Sequence, residues 1–593
     1  MKRHGILSIA GAREAREVMA VTLGEKPADL AVTHARVFNV YTGEFLENHS
    51  VTVKGRWIAT VGEDPGRLIS PETKVVDAEG RVLIPGFIDG HTHLADMIYS
   101  PAEFIRHAAP GGTTAVITET IEPFPIAGRE GIEDFLSALA DQPITFFATV
   151  PPMASNCRTH NGIPREDLKA LLLRDDILGL GEAYWSRVLQ EPDVFLPLFE
   201  ETLRSGGRLE GHSAGASGEK LMAYLGLGIS SCHEPIRAEE VLERLRLGLH
   251  VMIREGSIRG DLEEISEIRN AGVDLRRLIL VTDGFGPADL LERGYMEGLV
   301  QKAINCGFTP GTAVCMATIN VAEHFGLDGF LGGIAPGRQA DMALIPDLKT
   351  IRAEVVIAKG AVIAEDGRLT VPPRGHAFSE SSRNSVRLPR DMKADDFSIK
   401  APEGLIEARV RVIDQVTGLV TREFLTTVGV DHGEVRCDVN RDILKVAAVD
   451  RAHTPGKTFT GLIRGLGLKS GAYACSSGWD SSDIMVAGAR EEDMARAVNR
   501  IRALQGGIVV CDRGEVLAEL PLPFFGLLAD LPLPDIAGRM QELTATVRKL
   551  GCPHEEPYRT LITLAGAAIP FIRICDEGLV DLKTGDHVPL FLE

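Results

Sequence analysis

From about residue 29 to 84 apolar and polar positions alternate in short runs, ADLAVTHARVFNV, SVTVKG, RWIATVGE and KVVDAEGRVLIPG, broken by Gly, Asn and Asp turns. A period of two with such breaks predicts strands that bury one face. From 85 to 330 the texture changes. Strand-like pieces (TTAVIT, ITFFATV, ILGLGEA, GRLEGHS, HVMIREGS, LILVTD) alternate with helical ones such as PAEFIRHAA, IEDFLSALA, DVFLPLFEETLRS and AEEVLERLRLG. Repeated strand–helix units over roughly 240 residues predict a parallel sheet, most simply a (β/α)8 barrel. The β texture returns within 331–370, so strands from both sides of the barrel are expected to combine into one flanking sandwich. The stretch 371–399 opens Pro- and Ser-rich and reads as a linker. Residues 400–593 mix strands and helices in a further α/β domain. Residues 1–28 carry charges throughout and read as an N-terminal helical segment, not as a signal peptide.

A chain of 593 residues is too long for one hydrophobic core. Its apolar share of 44% and charged share of 25% are those of a globular protein and exclude wholesale disorder. The net charge of −20, with no basic run, argues against a nucleic-acid polymer or an anionic membrane as partner. Nine scattered cysteines without a CxxC pair fit reduced thiols in the cytoplasm better than a disulfide framework. There is no long uncharged apolar stretch, so no membrane span is expected.

The candidate chemistry begins at Pro85-Gly86-Phe87-Ile88-Asp89-Gly90-His91-Thr92-His93. Two histidines at i and i+2 at the end of a strand point the same way and offer two imidazoles to one metal ion. Glu182 ends ILGLGE, His212 ends GRLEGH, His233 follows GLGISSC and Asp283 ends LILVTD. With units of about thirty residues, these positions fall at strands 1, 4, 5, 6 and 8, and strand C-termini share the catalytic mouth of a barrel. Taken singly, Glu182 would be a helix-start carboxylate, Asp283 an N-cap, and His212 or His233 a satisfied loop histidine. Together they read as a metal site.

These residues sit in text that resembles the amidohydrolase superfamily and, within it, the bacterial adenine deaminase family. The similarity runs nearly end to end: PGFIDGHTH, LGLGE, GHSAGASGEKLMAYLGLGISSCHE, LRLGLHVMIREGS, VTD, MATINVAEHFGL, GGIAPGRQADMALI and AREEDMARAVNRI. The resemblance implies a distorted (β/α)8 barrel with a flanking β-sandwich, and His91, His93, Glu182, His212, His233 and Asp283 around one or two divalent ions. Mn(II) or Fe(II) would suit this donor set, Zn(II) also. His91 and His93 would hold the more buried ion, His212 and His233 the other, with Glu182 bridging. Adenine would lose ammonia to hydroxide attack at C6, and Asp283 would carry the proton from nucleophile to leaving nitrogen. Glu182 and Asp283 are thus the catalytic candidates. The resemblance further implies nucleobase salvage and a homo-oligomer, a dimer in the simplest case.

Several positions depart from the family text. Ile-Glu-Ser after the histidine pair is here Leu94-Ala95-Asp96, and Asp-Pro-His-Glu is Glu119-Thr120-Ile121-Glu122. Asp-Asp after strand 8 is Asp283-Gly284, and His-Asp-Ser-His-Asn is Trp479-Asp480-Ser481-Ser482-Asp483. The metal set is intact while the expected surroundings of the substrate change. Glu122, Arg254, Glu255, Trp479 and Asp480 are the candidates for holding the base, Trp479 as a stacking face. One rival reading is an amidohydrolase acting on another amino-heterocycle or a cyclic amide, although hydrolases of the dihydroorotase type use a carboxylated lysine where this chain has Glu182. A rival of another class is a non-catalytic metal-binding homologue.

Overall fold

Eight parallel strands surround the centre of the protein: β1 (Phe87–Thr92), β2 (Thr113–Thr118), β3 (Thr145–Val150), β4 (Ile177–Tyr184), β5 (Arg208–His212), β6 (Ser231–Cys232), β7 (His250–Arg254) and β8 (Leu278–Val281). The structure is a computed structural model and describes residues 9–153, 155–159, 162–569 and 571–592. The strands form two ladders, β1–β5 and β6–β8. Two backbone hydrogen bonds link the ladders: Ser230 N–H donates to the Leu209 carbonyl at 2.9 Å, and Asp283 N–H donates to the His91 carbonyl at 3.0 Å. The result is a distorted (β/α)8 barrel. Every residue of β1, β2, β4 and β8 is buried, because helices cover the outer face while side chains fill the inner one. β6 has only two residues, too few to produce an apolar run, and only the spacing of His233 from its neighbours points to it.

The flanking strands join as expected into a nine-stranded sheet. Val82–Pro85 pairs antiparallel with Met342–Ile345, bringing together segments from opposite sides of the barrel. Gly86 carries the chain from this sheet directly into β1: its N–H donates to the Asp341 carbonyl, and that of Phe87 to the Gly112 carbonyl. A Cβ at Gly86 would lie 2.3 Å from Thr114 Oγ1, so only glycine fits the crossing. The N-terminal helix Gly11–Thr22 packs Val18 and Val21 inward; residues 1–8 of the expected N-terminal segment lie outside the described residues.

The expected linker is not a loose one. Between 371 and 399, Phe378, Val386, Leu388, Met392 and Phe397 are buried. Asp134 on the barrel helix Pro123–Leu139 takes hydrogen bonds from Ser382 Oγ at 2.5 Å and the Ser379 N–H at 2.9 Å. Val386, Leu388 and Met392 pack in one cluster with helix Glu491–Leu504. Apolar residues at wide intervals in Pro- and Ser-rich text suffice to fasten the strap, and they show no periodicity from which burial could be read.

Beyond it stands a ten-stranded, mostly antiparallel sheet covered by Glu491–Leu504, followed by a three-stranded unit that includes the hairpin Ile572–Cys575/Gly578–Asp581. This region is seated on the barrel mouth. Ser477 Oγ donates to Asp96 at 2.8 Å, Tyr184 OH to Asp480 at 2.8 Å, and the Asn156 side-chain amide to the Ala565 carbonyl at 2.7 Å. Among the described residues no helix is long and apolar enough to cross a membrane.

Candidate active site

The six residues singled out by spacing converge at the C-terminal rim of the barrel, and all six are buried. Glu182 is at the centre. Its Oε1 lies 3.0 Å from His233 Nε2, 3.1 Å from His91 Nε2 and 3.3 Å from His93 Nε2, while its Oε2 lies 3.4 Å from His212 Nδ1. Asp283 Oδ1 lies 3.2 Å from His91 Nε2 and 3.5 Å from His93 Nε2. The rings of His91 and His233 stack at 4.2 Å.

The local chain explains this convergence. His91 and His93 share one side of β1, and Asp89, two residues earlier, anchors the strand. The Asp89 carboxylate accepts from the His91 N–H at 3.1 Å, from Thr282 Oγ1 at 2.6 Å and from Tyr295 OH at 2.6 Å, which ties β1 to the end of β8. Burial pushes its carboxyl up to about 6 despite these donors. Asp283 follows β8 with φ +56°, a left-handed conformation uncommon outside glycine and often found where geometry serves a site. Arg254, at the end of β7, reaches Asp283 Oδ2 and Glu234 Oε1, each at 2.8 Å. Burial would raise the Asp283 carboxyl, but the guanidinium and the neighbouring imidazoles hold it well below the usual carboxylate range.

The donor set fits a divalent cation. Donor atoms of His91, Glu182, His233 and Asp283 lie within 4.8 Å of one another, as do those of His212, His233 and Glu234. His212 Nδ1 and His233 Nε2 are buried without a hydrogen bond, although carboxylate oxygens stand close by. Such donors are costly to bury unless they meet a common electrophile. Imidazole and carboxylate together suit borderline and hard first-row ions.

The residues expected around the substrate divide. Glu122 accepts from His93 Nδ1 at 2.5 Å and so orients that ring, leaving Oε2 buried and unbonded. Arg254 faces the rim as described. Its neighbour Glu255 does not: the carboxylate engages Arg293 at 2.9 Å and Lys302 at 2.6 Å, because successive strand residues point to opposite sides. Asp480 is held at Oδ2 by Tyr184 OH and the Ala567 N–H, with Oδ1 buried and unbonded, and burial pushes its carboxyl up to about 6. Trp479 lines a cavity of about 440 Å³ with Asp96, Ser257, Gly286 and Tyr558. That volume is within the range of small-molecule sites.

Four residues with a place here escaped the sequence reading. Glu234 links Arg254 to His212 and His233; it follows His233 directly, and a charged residue at that position was the available signal. Asp96 enters the cavity wall, its carboxyl pushed up to about 7 by burial and by nearby Glu122. Glu119 lies 3.7 Å from His91 Nδ1 with both oxygens unbonded, and burial pushes it up to about 7. Tyr184, at the end of β4, holds Asp480. Asp96 and Glu119 stand in segments that depart from the family text, which was the available signal; for Tyr184 no local pattern separates it from core residues.

The amidohydrolase family model matches residues 82–368, and the model of the adenine deaminase C-terminal domain matches 418–586. An adenine deaminase of Moorella thermoacetica is 37% identical over 574 residues, covering 95% of this chain and 96% of that protein. The chain belongs to the adenine deaminase family. One from Clostridium botulinum is 34% identical over 587 residues, covering 98% of each. Among solved structures, the β-aspartyl dipeptidase of Fervidobacterium islandicum matches with 19% identity and a TM-score of 0.46, over 58% of this chain and 97% of that one. The two family matches fall on the barrel with its flanking strands and on the C-terminal region of this chain.

Proposed function

We propose that this protein is a metal-dependent hydrolase that converts adenine and water to hypoxanthine and ammonia. The observation that carries the reading is the convergence of four imidazoles and two carboxylates, from five barrel strands, at one buried rim in a member of the adenine deaminase family. His91 and His93 would hold one divalent ion and His212 and His233 a second, with Glu182 between them: its Oε1 stands near His91, His93 and His233, and its Oε2 near His212. Mn(II) or Fe(II) is the preferred occupant and Zn(II) is compatible. A cation at this position supplies a more acidic, fixed water at neutral pH.

The remaining work belongs to the chain. Arg254 takes Asp283 Oδ2, so Oδ1 stays turned toward the histidines, where a nucleophilic water would stand. From there Asp283 accepts the proton of the attacking water and returns it to the amino nitrogen at C6, so that the leaving group departs as ammonia. Glu122 keeps the His93 ring in register. The cavity beside Trp479 and Asp96 receives the purine: the indole offers a stacking face, and Asp96 a carboxylate for ring or exocyclic N–H donors. Adenine deamination in purine salvage, in the cytoplasm and by a homodimer, completes the reading; analytical sedimentation of the purified chain tests the dimer.

The deciding experiment loads the protein with Mn(II) or Fe(II) and follows ammonia release from adenine, other aminopurines and a cyclic amide. Adenine turnover is expected. In Asp283→Asn it should fall by about 10²–10⁴ while metal content is retained. Full activity in Asp283→Asn removes the proton-transfer role, and turnover of another substrate alone removes adenine.

A further inference from the structure

Away from the rim, the loop that follows β3 meets the hairpin Ile572–Cys575/Gly578–Asp581 of the C-terminal region. Cys157 and Cys575, 418 positions apart, face each other there across Asp576. All three are buried, and their sulfur and carboxylate donors lie within 4.8 Å of one another. Cys157 Sγ is 2.8 Å from Asp576 Oδ1, closer than the van der Waals radii of sulfur and oxygen allow without a bond between them.

The surroundings orient these donors. Lys457 Nζ takes the other Asp576 oxygen at 2.8 Å, so Oδ1 is turned toward the sulfurs. Asp483 Oδ2 accepts the Asp576 N–H at 3.3 Å. Glu577, next in the chain, accepts from Thr159 Oγ1 at 2.5 Å and from the Arg158 N–H at 2.7 Å, which holds the barrel loop against the hairpin. Val580 and Leu582 close the apolar side. Lys457, which also stands 3.3 Å from Glu577, offsets only part of the negative charge of Asp483, Asp576 and Glu577, and a cation held by the sulfurs would offset more.

We infer that Cys157, Cys575 and Asp576 form a second metal site, for a borderline-soft divalent ion such as zinc(II), that clamps the barrel loop to the C-terminal hairpin. Binding exchanges two S–H bonds for two sulfur–metal bonds and releases two protons, while the carboxylate enters as the anion and solvent fills the fourth tetrahedral position. No electron is transferred. The site differs in kind from the rim, whose donors are nitrogen and oxygen. Cys232, beside His233, is turned away toward Ser213 Oγ at 2.8 Å.

That difference provides the test. The reduced full-length protein, stripped with a chelator and titrated with cobalt(II), should develop thiolate-to-cobalt charge-transfer absorption in the near ultraviolet. Cys157→Ser and Cys575→Ser should each abolish that absorption and lower the bound metal by one equivalent per chain. His93→Ala should lower the metal content but keep the band, which separates this site from the rim. No such absorption in the wild-type protein at saturating cobalt overturns the inference, even if the serine variants fail to fold. So does its persistence in both variants, or peptide mapping that finds a Cys157–Cys575 disulfide in the freshly isolated protein.

Discussion

Arg254→Met is the most informative single perturbation of the rim. The guanidinium is buried and bonded at 2.8 Å to both Asp283 and Glu234. At an effective dielectric constant of about 20, each contact is worth about 6 kcal/mol of Coulomb energy before desolvation is counted. Methionine fills much of the same volume, so the loss is electrostatic: Asp283 loses its guanidinium partner, and Glu234 keeps only the more exposed Arg259, at 3.3 Å. Breaking a buried pair by removing one partner costs about 3–5 kcal/mol. For a barrel of this size the corresponding unfolding transition should fall by roughly 6–20 °C in the metal-free protein, followed by calorimetry under chelation. The shift should be smaller with metal bound, because the cation supplies part of the missing positive charge. Adding Glu234→Gln to Arg254→Met should recover part of the loss, since one of the two carboxylate charges that faced Arg254 is removed. A shift under about 1 kcal/mol in the metal-free form, or no recovery in the double variant, would refute the view that Arg254 balances the rim carboxylates.

Other outcomes follow from single contacts. Trp479→Ala should raise KM for adenine by about 5–150-fold with a smaller change in kcat, as expected if an aromatic–base stack of about 1–3 kcal/mol is lost; an unchanged KM places the base elsewhere in the cavity. Gly86→Ala would put a Cβ 2.3 Å from Thr114 Oγ1 and should destabilise the barrel by about 1–3 kcal/mol, readable by urea unfolding. Burial raises the Glu210 carboxyl, but His324 and Ser231 outweigh it and hold it at about 2, below its ordinary 4.5. Its contribution of about 3 kcal/mol is therefore complete above pH 4.5 and disappears as pH falls toward 2. Stability profiles of wild type and Glu210→Gln should converge toward that acid limit; parallel curves would contradict the assignment.

The order of domains and the six rim donors were legible because both leave local marks. Alternation of period two marks the flanking strands, strand-like pieces between helical ones mark most of the barrel, and Glu182, His212 and Asp283, each at the end of such a piece, mark its mouth. Chain spacing alone brought His91, His93, Glu182, His212, His233 and Asp283 to one place, since successive βα units repeat the same geometry. What lies one contact further out depended on direction and on distant partners. Whether Arg254 or Glu255 faces the rim turns on the phase of a five-residue strand, which a one-residue shift would reverse. Glu122 under His93, Tyr184 under Asp480, Ser477 on Asp96 and Cys157 against Cys575 all join separate units of the fold. The strap between barrel and C-terminal region likewise reads as linker text and is packed only because Asp134 and helix Glu491–Leu504 stand beside it. Periodicity is a property of neighbours in the chain and can be read from it; pairings across hundreds of residues arise only when the folded backbone brings their side chains within reach.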